Sequence, residues 1–257
     1  ARNLLLSAFC RVAIETAAVS FGHQSMSFKQ RDGERTIVDM HGLANLKGVF
    51  TKRLQEVLEA AKTPLDGSLA RAHLGDSRRL HEVLAGKYTC VITSPPYPNR
   101  ISYIRELRPY MYWLGYLSDG RQAGDLDWQA IGGTWGCATS NLSRWEADPA
   151  MPVPFGGFLD IINRIARRSR ILSQYVHKYF EDCVWHFRSL VRVLAKGAAV
   201  HYIVGNSKFY DVIVPTELLY AELLRHHGFS DVAVENIRKR NSKKELFEFV
   251  VSGQFSG

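Results

Sequence analysis

The segment Tyr88 to Tyr97, Tyr-Thr-Cys-Val-Ile-Thr-Ser-Pro-Pro-Tyr, constrains the fold more than any other stretch of the chain. Its first six residues are mostly β-branched or aromatic and carry no charge, which reads as a buried strand of a parallel sheet. Pro95 and Pro96 stop that strand. Proline lacks an N–H and holds φ near about −65°, so neither residue extends a central strand. The chain must therefore leave the sheet at Ser94 in a stiff bend. In open α/β sheets ligands lie outside the carboxyl ends of the strands, so this bend sits where a site is expected.

The flanking pattern alternates between helix and strand. Residues 2–19 read as a helix with Leu5, Leu6, Phe9, Val12 and Ala13 at helical spacing, and 46–62 as an amphipathic helix with Phe50, Leu54, Val57, Leu58 and Ala61 inward. Residues 20–45 between them are irregular. Leu69 to Leu74 reads as a strand running into Gly75-Asp76, followed by a short helix near Arg79 to Leu84. An aromatic-rich helix is expected at 101–117, then an excursion at 118–157 with no strong period. A helical stretch follows at 158–195, with a break near Arg170 and a stop at Lys196-Gly197. Ala198 to Val204 is a core strand ending at Gly205-Asn206-Ser207. A helix at 215–227 stops at Gly228, and Val232 to Ile237 and Leu246 to Val251 form strands joined by a basic turn. This order predicts an α/β fold with a doubly wound, mostly parallel sheet and a C-terminal antiparallel hairpin. The expected domains are an N-terminal helical segment at 1–68 and a second domain at 69–257, interrupted by an inserted excursion at about 101–157.

Composition narrows the partners. With 257 residues, 46% apolar and 23% charged, the chain resembles an ordinary globular protein, and one large α/β domain is the default expectation. No apolar run is long enough to cross a bilayer, and the first residues lack a secretory pattern. Cys10, Cys90, Cys137 and Cys183 are scattered and the nine histidines form no ligand spacing, so no metal is expected. The net charge of +8 suits a polyanionic partner. Arg238-Lys239-Arg240 and Lys243-Lys244 concentrate it at the hairpin turn, and Arg164, Arg167, Arg168 and Arg170 concentrate it on one helical stretch. A solvated charged turn is the competing reading of the hairpin cluster.

Ser94, Pro95, Pro96 and Tyr97 suit one kind of chemistry. The Ser94 hydroxyl and the Pro95 carbonyl can accept hydrogen bonds from an exocyclic NH2 group, and Tyr97 offers a face on which the ring bearing it can stack. An amino group so held turns its nitrogen lone pair toward an electrophile. This motif resembles the [Ser/Asn/Asp]-Pro-Pro-[Tyr/Phe] motif of the S-adenosylmethionine-dependent DNA methyltransferases that act on amino groups, N4 of cytosine or N6 of adenine. Thr93-Ser94 is most similar to the N4-cytosine form. The phrase Val191-Arg192-Val193-Leu194-Ala195-Lys196-Gly197 resembles the helix end that leads into the next strand of those enzymes.

The resemblance implies a class I methyltransferase fold and S-adenosylmethionine as cofactor, with Ser94, Pro95, Pro96 and Tyr97 catalytic. It implies a cofactor-binding role for Gly75 and Asp76. In the family an acid at that point accepts from the adenine amino group; a helix cap is the alternative. Gly205 and Asn206 are cofactor-binding candidates because glycine permits close approach and asparagine can hydrogen-bond a ligand; a plain loop start is the alternative. Arg100, Arg238, Arg240, Asn241 and Lys243 are candidates for contacting nucleic acid. The glycine-rich loop that closes over the cofactor in this family has no counterpart upstream of Asp76. The cofactor half is therefore expected before residue 1, on a partner subunit or on chain outside the sequence, unless catalysis is lost. An RNA or tRNA amino-methyltransferase and a non-catalytic nucleic-acid-binding subunit stand as alternatives. The expected setting is a prokaryotic-type, nucleoid-associated cytoplasm, without membrane contact.

Overall fold

The structure, a computed structural model, describes residues 1–16, 19–20, 27–28, 40–63, 70–99, 102–133, 137–240 and 245–257. In chain order the elements are α1 (Arg2–Thr16), β1 (Val19–Ser20), β2 (Ser27–Phe28), α2 (Met40–Lys62), a 3-10 turn (Ser77–Arg79), α3 (Leu80–Val83), β3 (Tyr88–Thr93) and α4 (Tyr103–Trp113). Then come α5 (Gly120–Gln129), α6 (Cys137–Leu142), α7 (Phe158–Ala166), α8 (Arg170–Leu190), β4 (Leu194–Gly205), β5 (Ser207–Phe209), β6 (Val212–Val214), α9 (Thr216–His226), β7 (Phe229–Lys239) and β8 (Phe247–Phe255). They fall into two compact units: residues 1–71 with 104–120, and residues 72–103 with 121–257.

In the first unit α1 packs along α2. Arg53 of α2 pairs with Glu15 at 2.6 Å and Glu56 at 2.7 Å, and Phe9 meets Trp113 edge-on with ring centroids 6.3 Å apart.

The second unit is built on a four-stranded sheet in the order β3-β4-β8-β7. β3 and β4 run parallel; β4–β8 and β8–β7 are antiparallel. The expected C-terminal hairpin is present and longer than its apolar runs suggested. The expected parallel majority is not: of the three ladders this sheet makes among the described strands, one is parallel. Helices cover one face. Val200, Tyr202 and Val204 of β4 and Val251 of β8 are buried there, and His186 and Phe187 of α8 and Tyr220 of α9 pack against Tyr202. Each such apolar side chain removed from water contributes about 1.5–3 kcal/mol. The opposite face carries Ile92, His201, Ile203 and Val250, none of them buried, and Ile92 is 74% exposed.

Several local expectations need correction. Residues 70–74 form no strand, and Leu74 is fully exposed; among the described residues no strand pairs with them, and an apolar pattern alone makes no ladder. The 118–157 stretch contains α5 and α6, whose polar sequences hid their period. The break near Arg170 is real: Ser169 starts α8, its Oγ accepting from the Leu172 N–H at 3.3 Å. Lys196-Gly197 does not end the helix. Gly197, at φ +78°, lies inside β4, where the register with β3 jumps from Tyr88–Leu194 to Cys90–Ala199. The glycine marks a strand irregularity. Gly228 at φ +82° does follow α9, as expected.

Candidate active site

The Ser94–Tyr97 bend leaves the carboxyl end of β3 just after Thr93, which pairs with Tyr202 of β4. Ser94 is exposed. Among the described residues nothing hydrogen-bonds the Ser94 hydroxyl or the Pro95 carbonyl. The next carbonyl is engaged: the Tyr179 hydroxyl of α8 donates to Pro96 O at 2.6 Å. A carbonyl only accepts, so the Tyr179 proton is committed there. The Tyr220 hydroxyl, 3.1 Å away, must then donate to Tyr179, and the Cys183 thiol at 3.4 Å donates to Tyr220. This relay is buried; burial pushes Cys183 up to about 12 and holds all three groups neutral. Past the prolines, Asn99 N–H closes on Tyr97 O at 2.7 Å, and Pro98 is buried. The bend is thus pinned behind Ser94 and Pro95.

Tyr97 is half-buried at the mouth of the β7–β8 hairpin. A Cβ on Gly205 would lie 3.0 Å from its ring carbons and 3.0 Å from a terminal nitrogen of Arg240. The Arg240 guanidinium lies over the ring, 5.4 Å from the centroid, and donates to Asn206 O at 3.1 Å. The Tyr97 hydroxyl makes a long contact, 3.4 Å, to Glu248. Glu248 stands opposite both Gly205 and Arg238 in the sheet register and accepts from Arg238 Nε at 2.6 Å. That bond, aided by the charges of Arg238 and Arg240, outweighs desolvation and holds the Glu248 carboxyl below its usual range.

The candidate cofactor residues have intramolecular partners. Asp76 caps the 3-10 turn, accepting from the Arg78 N–H at 2.9 Å, and binds the Arg78 side chain through both oxygens, the shorter bond to a terminal nitrogen being 2.8 Å. Burial raises its pKa, but these bonds prevail and leave it lowered. Arg78 continues to Asp182 at 2.8 Å and Gln129 O at 2.8 Å, and Lys178 joins Asp182 at 2.6 Å. Asp76 still lines a cleft of about 760 Å³ with Arg79, His81, Trp185, Arg188 and Arg192. Gly75 leaves room for Val83, whose methyls would lie 2.8 Å from an added Cβ. Gly205 is filled by Tyr97 and Arg240. Asn206 holds the hairpin, accepting from Phe247 N–H at 2.8 Å and donating to Glu245 O at 3.4 Å. One acid at a cleft, with the space at both glycines occupied, does not by itself fit S-adenosylmethionine.

Of the nucleic-acid candidates, Arg238 is exposed but paired with Glu248, and Arg240 is on Tyr97. Arg100, Asn241 and Lys243 lie outside the described residues. Sequence reasoning missed Tyr179 and Glu248. Tyr179 sits one position before Phe180 on the apolar stripe of α8, so periodicity counts it as core. Glu248 is a lone acid between Phe247 and Phe249, and that isolation was the available signal.

Among the described residues no helix is long and apolar enough to cross a membrane. A mixed α/β sheet with parallel and antiparallel ladders is compatible with a methyltransferase-like fold. No protein-family model and no solved structure matches the chain. Among curated proteins it is similar to the Type II methyltransferase M.BsoBI of Geobacillus stearothermophilus, 22% identical over 247 residues, covering 84% of this chain and 47% of the relative. The chain thus spans about half the length of that relative.

Proposed function

We propose that this chain is the catalytic-loop part of an S-adenosylmethionine-dependent DNA methyltransferase that modifies the exocyclic amino group of a flipped cytosine (N4) or adenine (N6). The observation that carries the reading is the Ser-Pro-Pro-Tyr bend: it is anchored at Pro96 by Tyr179 while Ser94 Oγ and Pro95 O stay unengaged among the described residues. Two unengaged acceptors on an anchored bend that ends in an aromatic ring suit the aiming of an NH2 group. The target base leaves the duplex, stacks on Tyr97, and donates its amino hydrogens to Ser94 Oγ and Pro95 O. These acceptors orient the nitrogen lone pair and stabilise the positive charge that develops on it. When bound, S-adenosylmethionine would supply the methyl group, its sulfonium leaving as the neutral thioether, and the methylated nitrogen would release one proton to solvent past the exposed Ser94. The similarity to a Type II methyltransferase supports the same reaction class.

The partner belongs to this proposal. β3 is an edge strand among the described residues, and the sheet face bearing Ile92 is open. Parallel strands are stable when covered on both faces and paired at their edges. A subunit carrying the glycine-rich cofactor loop, adding a strand beside β3, satisfies both needs.

The test is transfer of labelled methyl groups to genomic DNA by the protein purified from its own cells with its associated chains. Label on cytosine N4 or adenine N6, lost in Tyr97→Ala and Pro95→Ala, is expected. A rate that neither substitution changes would remove the mechanism. Preferential labelling of RNA, or an absence of S-adenosylmethionine binding by the associated complex, would replace it with the RNA-directed or non-catalytic reading.

A further inference from the structure

Tyr97 already has a flat cation on its ring. Arg240 places its guanidinium 5.4 Å from the ring centroid, within the range of a cation–π contact. It fills the space left by Gly205, 3.0 Å from where a Cβ would stand, and keeps one hydrogen bond to Asn206 O at 3.1 Å. A guanidinium is planar and stacks on aromatic faces much as a nucleobase does. Its backbone is fixed, since Arg240 N–H donates to Leu246 O at 2.9 Å, so departure from the ring is a side-chain rotation alone.

We propose that Arg240 is a placeholder for the target base: in the free protein its guanidinium occupies the stacking face of Tyr97, and it yields that face to the entering base while moving to a backbone phosphate. The proposal rests on the reading of Tyr97 as the base-stacking residue. It makes Arg240 a positioning residue with two opposed effects. It competes with a base for the ring, and it attracts the polyanion that brings the base. The contrary arrangement has Arg240 backing the ring on the side away from the base, where its removal cannot help a base to bind.

Two probes separate these effects: a nucleoside, cytidine or adenosine, which has a base and no phosphate, and an abasic single-stranded oligonucleotide, which has phosphates and no base. In Arg240→Ala, nucleoside affinity should rise about two- to fivefold, the range matching a cation–π contact at a partly exposed site. Abasic-oligonucleotide affinity should fall, with a shallower dependence on salt because one phosphate contact is lost. Arg240→Lys, which keeps the charge but not the planar group, should retain oligonucleotide binding and still gain nucleoside affinity. Nucleoside binding that is unchanged or weaker in both variants overturns the placeholder. Nucleoside binding that survives Tyr97→Ala, or is absent from every form, overturns the base-site reading and the placeholder with it. Loss of nucleoside binding in Tyr97→Ala with no gain on changing Arg240 leaves the base site standing and removes only the placeholder.

Discussion

Tyr179 reaches 83 positions back along the chain to donate a hydrogen bond to Pro96 O at 2.6 Å. The contact fastens the proline bend to α8, a helix with twelve buried residues. Tyr179→Phe removes the only proton directed at that carbonyl among the described residues and deprives the Tyr220 hydroxyl of its acceptor. A buried polar group left unsatisfied costs about 1–3 kcal/mol. We expect a loss of about 2 kcal/mol in urea unfolding for Tyr179→Phe, and a smaller loss for Tyr220→Phe, which leaves the Pro96 bond intact. Equal losses would show that the carbonyl contact contributes nothing of its own.

Gly205 leaves the space that the Tyr97 ring and the Arg240 guanidinium share. An alanine there would put its methyl 3.0 Å from the Tyr97 ring and from Arg240, so one of them must move. Since both are partly exposed, the displacement is cheap for the fold and costly for the site. Gly205→Ala should cost about 1 kcal/mol or less in stability, at the low end for overpacking, while reducing methyl transfer at least tenfold. Wild-type transfer by this variant would show that Tyr97 need not sit where it does.

The proline bend, the long amphipathic helix α8 and the terminal hairpin were legible because each rests on local chemistry: missing N–H groups, a 3.6-residue period, a period of two. Leu69 to Leu74 misled because strand propensity says nothing about whether a neighbour exists to pair with. Gly197 misled because positive φ serves a strand irregularity as readily as a helix stop. The relay from Cys183 to Pro96 was invisible, since tyrosines at core spacing read as apolar bulk and the partner carbonyl belongs to another element. Gly205 was singled out for close approach of a ligand, whereas the space at its missing Cβ is taken by Tyr97 and Arg240.

Arg78 serves three acceptors at once, Asp76, Asp182 and the Gln129 carbonyl. Asp182 is 8% exposed and, among the described residues, keeps Lys178 as its ion-pair partner if Arg78 is removed. Breaking a buried charge network leaves an uncompensated ion, at about 3–5 kcal/mol; the partial exposure of Arg78 and the retained Lys178 place Arg78→Ala near the lower figure. Arg78→Lys should recover little of this, because one ammonium cannot reproduce the planar fork. Thermal unfolding of both variants checks the pair, and full recovery by lysine would mean that charge alone matters.

His186 is enclosed between the Ser77 carbonyl, 2.9 Å from Nδ1, and the Tyr202 hydroxyl, 2.7 Å from Nε2. Burial lowers its pKa, and burial also lowers those of His177 and His227. A base whose folded pKa is depressed binds a proton in the unfolded chain first. The stability it permits is present above the unfolded value, near about 6.5, and declines as pH falls below it. His186 alone contributes a slope of up to about 1.4 kcal/mol per pH unit in that window. The melting temperature should fall between pH 7 and pH 5.5, and a flat profile would show that His186 accepts a proton in place.

Ile92 lies on the open face of the edge strand, 74% exposed, while its neighbours Val91 and Thr93 turn toward the helices. In this chain alone Ile92→Lys removes almost no buried surface, so its stability should change by no more than about 0.5 kcal/mol. If a cofactor-bearing subunit completes the sheet at β3, the same lysine places a charge in the new core, where burial without a partner is strongly unfavourable. Ile92→Lys should therefore fold normally, lose its associated chain on size-exclusion chromatography, and lose methyl transfer with it. An exposed control such as Leu218→Lys on α9, distant in sequence from β3 and 47% exposed, should do neither. Retention of both association and transfer by Ile92→Lys would mean that the cofactor-binding part meets this chain somewhere other than the open side of β3.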